Sequence, residues 1–296
     1  MKYAWLEGQC KVYTIDEMWR VLAVSESGYR AWKQGGTPDR TRLTDAQMLT
    51  WVCAIHEELK GAYGSPRMVR ELRGREVPAS KERVERLMGE HGIRARHKRR
   101  YKVTTDSTHH LPVAANLLNR DFTPSAPNQT WTSDITYLWT DEGWLYLAIV
   151  LDLFNREVVG WSLKPCMTAD IGTDARTMAW VRRKPAGGLR HHSDRGRQYA
   201  SQPFQHQLRE YGMICSMSRR GNCWDNTPTE SWFNSFKNAR VHGIRYATRA
   251  AMTAASFEYI EVFYNRTRRH STLGYQSPMQ FLDEWRLAQH EENLVA

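Results

Sequence analysis

The sequence WTSDITYLWTDEGWLYLAIVLDLFNREVVGWSL, residues 131–163, decides the fold. It contains three runs rich in aromatic and β-branched side chains, and the middle run is apolar enough for a strand buried on both faces. Turn-forming residues at 141–143 and 155–156 separate the runs at hairpin length. The pattern predicts an antiparallel meander of three strands at 131–140, 144–154 and 157–163.

After the meander, helical and extended patterns alternate. Thr168 begins a helical pattern, and a short apolar run ends at Asp194. A glycine-bearing loop, 219–226, precedes another helical pattern. The order βββαβαβα predicts an α/β fold in which helices flank a mixed five-stranded sheet. We expect helices at 168–183, 201–211 and 227–239, strands at 189–193 and 213–217, and two further helices at 248–269 and 277–289.

Three carboxylates occupy unusual places in this pattern. Asp134 lies inside the first strand, Asp194 ends the fourth, and Glu230 lies in the first turn of the helix after the fifth. A carboxylate in an apolar sheet is costly without a partner, and three together would repel one another. A divalent cation relieves the repulsion, and oxygen-only ligands favour Mg²⁺ or Mn²⁺. Two such ions can activate the attacking oxygen and stabilise the leaving oxygen at a phosphorus centre. Alternatively, any one of the three is a helix cap or turn residue.

Other polar residues fall near these positions. Lys237 shares a helix face with Glu230, and this favours a contact with DNA near the scissile bond over a solvent-exposed lysine. Asn226 and Asn234 lie four residues either side of Glu230 and are candidate supporting hydrogen-bond donors. We interpret Asp152 and Asp225 as structural turn residues. His191 and His192 are left outside the catalytic set.

Charge and composition limit the class of protein. The chain has 296 residues and a net charge of +10. Its 41% hydrophobic residues, with 12 Trp, 13 Tyr and 8 Phe, exclude a disordered chain. No apolar run reaches the length of a membrane span, and the N-terminus lacks a signal-peptide layout. Five scattered cysteines without a CxxC pair favour a reduced, cytoplasmic protein. Residues 1–110 hold 21 basic and 14 acidic residues, which suggests a polyanionic partner or merely a solubilising charge.

The front of the chain is helical and basic. Residues 14–34 predict two short helices around a turn, a shape shared by helix-turn-helix motifs and by ordinary helix pairs. Residues 44–91 predict three more helices, followed by a dense basic run. We interpret this run as an arm that contacts phosphates, although a solvated linker has the same composition. Its proposed DNA-contact residues are Arg94, Arg96, Lys98, Arg99 and Arg100, to which Arg266, Arg268 and Arg269 near the C-terminus are added.

These observations predict five segments. They are a helix-turn-helix-like segment at 1–40, a helical DNA-binding module with a basic arm at 41–103, a linker at 104–127, a catalytic core with C-terminal helices at 128–288, and a tail at 289–296.

Several motifs resemble the DDE-type transposases of bacterial insertion sequences, in the retroviral-integrase superfamily. WTSDITY around Asp134, HHSDRGRQY around Asp194 and GNCWDNTPTESWFNSFK around Glu230 resemble the three acidic motifs. The 35 residues between Asp194 and Glu230 are the spacing that names the motif. YNRTRRHSTLGYQSP (264–278) resembles the closing signature, and two segments near the N-terminus resemble the front end. The match is to the second-frame subunit of two-frame elements.

The resemblance implies a ribonuclease-H-like core in which Asp134, Asp194 and Glu230 are catalytic and bind two Mg²⁺ or Mn²⁺ ions. It implies nicking of double-stranded DNA at element ends, then strand transfer by the freed 3′-hydroxyl. It also implies a homo-multimer, fusion to an upstream-frame subunit by frameshifting, and a bacterial, nucleoid-associated location without a membrane. A non-catalytic DNA-binding regulator and a hydrolytic nuclease of the same fold are the alternatives.

Overall fold

The computed structural model describes residues 2–9, 14–33, 43–96, 111–220 and 223–295. The chain divides into two compact units, Met1–Trp51 and Val52–Ala296. Within the described ranges, no helix is both long enough and apolar enough to cross a bilayer.

Short helices build the first unit. They are α1 (Lys2–Gln9), α2 (Ile15–Leu22) and α3 (Glu26–Lys33). The last two confirm the predicted helix pair, and Ala23, in the left-handed conformation at φ 49°, ends α2. Leu6, Met18 and Tyr29 form a small buried core between the helices. The sequence pattern does not predict α1, because its eight residues show little helical periodicity in their apolar positions.

A second helical group confirms the three helices predicted over 44–91. It consists of α4 (Asp45–Glu58), α5 (Ser65–Gly74) and α6 (Lys81–Glu90). Thr44 caps α4 through its hydroxyl, which accepts from the Gln47 amide at 3.3 Å, and the Gln47 side chain accepts from the Thr44 amide at 2.8 Å. This is the reciprocal capping box that satisfies two otherwise orphaned donors. Ser80 caps α6 by accepting from the Arg83 amide at 3.4 Å.

The sheet has five strands in the order β3-β2-β1-β4-β5. β2 is antiparallel to β1 and β3, whereas β4 is parallel to β1 and to β5. This arrangement confirms the predicted mixed sheet and the ribonuclease-H-like fold. The strands are β1 (Thr130–Thr140), β2 (Gly143–Asp152), β3 (Val158–Lys164), β4 (Arg190–Ser193) and β5 (Ile214–Met217).

Helices cover the sheet. Trp131, Val150, Ala175, Phe204 and Leu208 belong to the main hydrophobic core, which lies between the sheet and the first helices after β3. The helix that follows β5 packs against β1. These helices are α7 (Asp170–Arg183), α8 (Arg197–Ala200), α9 (Gln202–Glu210), α10 (Thr227–Arg240), α11 (Arg249–Phe257) and α12 (Pro278–Val295).

The described part of the predicted linker, 111–127, has no helix or strand but packs against the core. Leu118 is buried. The Leu117 amide donates to the Ser216 hydroxyl at 2.9 Å, and the Met217 amide donates to the Ala115 carbonyl at 3.3 Å. This segment therefore runs beside β5 as a fixed part of the second unit.

The C-terminal helices differ from the prediction in two ways. The helix predicted over 248–269 is α-helical only to Phe257 and continues as a π-helix over Glu258–Tyr264. Phe257, the last α-helical residue, is 50% exposed, whereas Tyr259 and Ile260 in the π-helix are buried. In addition, α12 runs to Val295 and replaces the predicted tail, because no glycine or proline interrupts residues 279–295.

We expect Gly160→Ala to destabilise the second unit by about 2 kcal/mol, the usual cost of overpacking a core. A Cβ at this β3 position would overlap the Ala175 carbonyl oxygen and lie 2.7 Å from the Ala179 amide nitrogen of α7. Urea denaturation measures the change. Gly89→Ala in α6 is the matched control, because nothing lies within 4 Å of its added methyl group. Equal stability of the two variants would contradict this account of β3–α7 packing.

Candidate active site

Asp134 and Asp194 lie where two parallel strands separate. The pairing of β1 with β4 ends at Ser133 and Ser193, which are register partners. Asp134 is the next residue of β1, and Asp194 is the first residue after β4. Because paired strands are about 5 Å apart, this register brings both carboxylates to the same edge of the sheet.

Glu230 joins them because two hydrogen bonds fasten the start of α10 to β1. The Thr229 hydroxyl donates to the Thr132 hydroxyl at 2.7 Å. The Asn226 side-chain amide donates to the Ser133 carbonyl at 3.3 Å. Both acceptors lie immediately before Asp134 in the chain. The first turn of α10 is therefore held beside the strand residue that carries the first carboxylate.

Neighbouring carboxylates raise the pKa of two of the three acidic residues, Asp134 and Glu230. Burial raises the pKa of Asp134 well above its usual range, and the negative charges of Asp194 and Glu230 raise it further. The Ile135 amide, which donates to Asp134 Oδ1 at 2.7 Å, opposes this shift. Burial and the charge of Asp194 also raise the pKa of Glu230. The residues predicted from separate motifs thus form one electrostatic group.

The turn after β4 fixes the orientation of Asp194. Its Oδ1 accepts a hydrogen bond from the Gly196 amide at 2.9 Å. A Cβ on residue 196 would lie 3.0 Å from the same oxygen, so only glycine allows this close approach without displacing the carboxylate.

Lys237 lies between the carboxylates and an aromatic ring. Burial lowers the pKa of its ammonium group, while the negative charge of Asp134 raises it. Its Nζ is 5.1 Å from the centre of the Tyr137 ring, within the range of a cation–π interaction. The predicted placement of Lys237 on the Glu230 face of α10 therefore brings a cation to the site.

The donor set fits a hard divalent cation. In the part of the chain that the structure describes, no three or more His, Cys, Asp or Glu side chains are grouped closely enough to hold a metal ion. The three carboxylates nevertheless supply only oxygen donors, and each of the two raised pKa values has a neighbouring carboxylate among its causes. Bound positive charge at Asp134, Asp194 and Glu230 would remove that repulsion.

The two predicted supporting amides hydrogen-bond to other groups than Glu230. Asn226 is buried and bonds to the backbone of Ser133, so it positions α10 against β1. Asn234 is exposed, and its side-chain oxygen accepts from Asn238 at 3.2 Å. The partner of Asn226 comes from the packing of α10 against β1, and the partner of Asn234 comes from the next helical turn.

Asp152 and Asp225 have structural partners. Asp152 accepts from the amides of Phe154 and Asn128 at 3.0 and 2.9 Å, and its burial raises its pKa. Asp225 binds the Arg219 guanidinium, which holds its pKa well below the usual range. Arg120 and Asn116 also donate to Asp225. Its carboxylate thereby ties segment 111–129 to the loop before α10.

The predicted DNA-contact residues have different environments. Arg94, Arg96 and Arg266 are exposed. Arg268 is buried over the Tyr264 ring and donates to Ser235, and Arg269 forms an ion pair with Glu71 at 2.7 Å. The guanidinium groups of these last two residues therefore have partners inside the protein. Lys98, Arg99 and Arg100 lie outside the described residues.

Comparison with known proteins places this geometry in a family. Two models described as "Integrase core domain" match residues 124–223 and 230–284, and one described as "HTH-like domain" matches 43–101. The transposase InsF of insertion sequence IS3A from Escherichia coli K12 is 43% identical over 95% of this chain and 98% of its own. The chain belongs to the IS3-type transposases. It is therefore an integrase-core enzyme of the DDE polynucleotidyl transferase superfamily, with an HTH-like DNA-binding domain.

The chain is also similar to a second curated protein and to two solved structures. A 31 kDa protein of insertion element IS600 from Shigella sonnei is 40% identical over 90% of this chain and 98% of its own. Among solved structures, the simian T-cell lymphotropic virus intasome aligns with 78% of this chain and 74% of its own, at 15% identity and a TM-score of 0.43. The catalytic core domain of bovine immunodeficiency virus integrase aligns with 55% of this chain over 99% of its own length, at 16% identity and a TM-score of 0.41.

The raised pKa of Asp134 predicts that this transposase is less stable at neutral pH than it would be with an uncharged side chain there. In the absence of metal, protonated Asp134 makes its whole contribution to the free energy of unfolding below the unfolded pKa of about 3.9. This contribution is lost as the pH rises through the higher folded pKa. Asp134→Asn should therefore raise the free energy of unfolding at pH 7–8, and this gain should disappear below pH ~4.

Asp225→Asn provides the opposite case. Arg219 lowers the folded pKa of the Asp225 carboxyl. The variant should therefore have a free energy of unfolding about 2 kcal/mol lower at neutral pH, the scale of a charge-assisted hydrogen bond. Urea denaturation across this pH range in EDTA measures both variants. A destabilised Asp134→Asn at pH 8 would refute the proposed repulsion among the carboxylates.

Proposed function

We propose that Asp134, Asp194 and Glu230 hold two Mg²⁺ or Mn²⁺ ions and that this centre nicks DNA at the ends of an insertion sequence and then joins the freed 3′-hydroxyl to another phosphodiester. The observation that carries the proposal is the register that ends at Ser133 and Ser193, together with the anchoring of α10 at Thr132. The three carboxylates are thus supplied by elements whose relative positions are fixed.

The bound cations would supply Lewis-acid activation of the attacking oxygen and neutralise charge on the leaving oxygen. The protein's own residues hold the reacting groups. The Ile135 and Gly196 amides orient Asp134 and Asp194 by donating a hydrogen bond to one oxygen of each carboxylate. Lys237 presents a cation to a DNA phosphate or base edge beside them. No covalent bond between protein and DNA is needed.

Replacement of Glu230 by glutamine is the direct test. The amide keeps the shape of the side chain but removes the negative charge that a dication requires. We expect Glu230→Gln to lower both nicking and joining at least about 100-fold, which corresponds to a few kcal/mol of transition-state stabilisation. A labelled duplex carrying the element's end is incubated with Mg²⁺, Mn²⁺ or EDTA, and nicked and joined products are scored separately.

Glu291→Gln, an exposed position in α12, is the matched control and should retain full activity. Metal-dependent nicking without joining would identify a hydrolytic nuclease instead of a transferase. A chain that binds the ends but yields no product, alone or in the fusion described next, would be a regulator. Either result overturns the proposed strand-transfer chemistry.

We also propose that the active assembly is a multimer of this chain fused to an upstream-frame product by ribosomal frameshifting. The family resemblance supports the fusion, and the sequence shows no sustained heptad repeat that would assemble this chain by a coiled coil. The chain alone should bind element ends weakly, and the fusion should bind them at least about tenfold more tightly. Filter binding with matched end and scrambled duplexes measures this. Tight, end-specific binding by the chain alone would contradict the proposal.

A further inference from the structure

Exposed aromatic side chains cluster at the outer end of the β1–β2 hairpin. Tyr137, Trp139 and Trp144, called here the aromatic ladder, are 37, 56 and 43% exposed. Trp144 lies opposite Trp139 in the strand register, so the rings share one face of the hairpin. The ring centres of Tyr137 and Trp144 are 5.2 Å apart and those of Trp139 and Trp144 are 4.8 Å apart, both in edge-to-face geometry.

Packing within the protein does not explain this surface. Large aromatic side chains contribute most when buried, and an exposed group of them commonly marks a binding surface. The edge-to-face arrangement fixes the three rings against one another but leaves large parts of them open to solvent. A rigid set of flat apolar rings is therefore presented at the surface at a low entropy cost on binding.

The ladder begins at the catalytic residues. Tyr137 is three residues beyond Asp134 on the same strand, past the point where β4 stops pairing with β1. Lys237 Nζ lies 5.1 Å from the Tyr137 ring and interacts electrostatically with Asp134, so it connects the ladder to the carboxylates. At the other end, the Arg249 guanidinium donates to the Trp144 carbonyl at 3.1 Å. Basic groups thus lie at both ends of the aromatic surface.

We propose that the aromatic ladder binds unpaired bases of the DNA strand next to the scissile phosphate. This inference rests on the proposed function, because that function places the phosphate at Asp134, Asp194 and Glu230. Aromatic rings stack on bases only where the bases are not already stacked in a duplex, and flanking cations attract the backbone. The charge complementarity of Lys237 and Arg249 favours this polyanionic occupant over a second copy of the chain, whose net charge is +10.

The dimensions of the ladder agree with a short unpaired segment. Stacked nucleotides rise about 3.4 Å per step along a strand. The two ring-to-ring distances, 5.2 and 4.8 Å, meet at Trp144 and limit the ladder to about 10 Å, the length of roughly three nucleotide steps. An element end that frays by this length could transfer its bases onto the ladder while its scissile phosphate stays at the carboxylates.

The test compares two DNA probes in EDTA, where no cleavage occurs. One is a fully paired element end, and the other carries three unpaired nucleotides beside the scissile position, one of them the fluorescent base 2-aminopurine. We expect Trp139→Ala to weaken binding of the unpaired probe about tenfold and to leave the affinity for the paired probe within twofold. It should also abolish the stacking-dependent quenching of 2-aminopurine. Trp139→Phe, which keeps a ring, should restore most of the affinity and the quenching.

Phe257→Ala, another exposed aromatic position outside the ladder, is the matched control and should change neither probe. Equal loss on both probes, or no loss on either, would overturn the proposal. If the ladder instead joins two copies of the chain, Trp139→Ala would lower the oligomeric state measured by sedimentation. It would then change the affinities for the paired and unpaired probes equally, which would also overturn the proposal. Since binding is measured without metal, an inactive catalytic centre would leave these readouts intact and would be recognised separately through Glu230→Gln.

Discussion

The fold of the catalytic unit has to hold three mutually repelling carboxylates close together. The like charges of Asp134, Asp194 and Glu230 repel one another, and burial makes the charges of Asp134 and Glu230 more costly still. Backbone pairing resists this repulsion, because the β1–β4 register ends at the residues that precede the two aspartates. The hydrogen bonds from Thr229 and Asn226 hold the third carboxylate against the same strand. The fold thus maintains an arrangement that becomes favourable when positive charge is bound.

The same logic extends to the helical module ahead of the core. Arg269, in the segment resembling the family's closing signature, binds Glu71 of α5 through its guanidinium, and its amide donates to the Tyr63 hydroxyl at 2.8 Å. The Arg67 side chain of α5 donates to the Arg269 carbonyl at 3.0 Å. These contacts join α5 to the segment after the π-helix. A residue that resembles a DNA-contact arginine in sequence is therefore an attachment between the HTH-like region and the catalytic core.

Local patterns predicted most of the fold, and long-range geometry accounts for what they missed. The meander, the later strands and the capping of α4 and α6 follow from periodicity and turn chemistry, which act over a few residues. The three carboxylates and Lys237 could be named because motif spacing identified them. The Ser133–Ser193 register, the Thr229–Thr132 bond and the aromatic ladder depend on which strands become neighbours. The internal partners of Arg268 and Arg269 could not be predicted for the same reason, since sequence alone does not show where a guanidinium packs.

Iron-directed cleavage of the protein backbone would test most directly whether the three carboxylates form one divalent-cation site. Fe²⁺ bound in place of Mg²⁺, with ascorbate and peroxide, generates hydroxyl radicals that cut the chain near the ion. The account predicts cuts around residues 134, 194 and 230 together, all suppressed by excess Mg²⁺. Cuts at only one of these segments, or cuts that Mg²⁺ does not suppress, would contradict a shared metal centre.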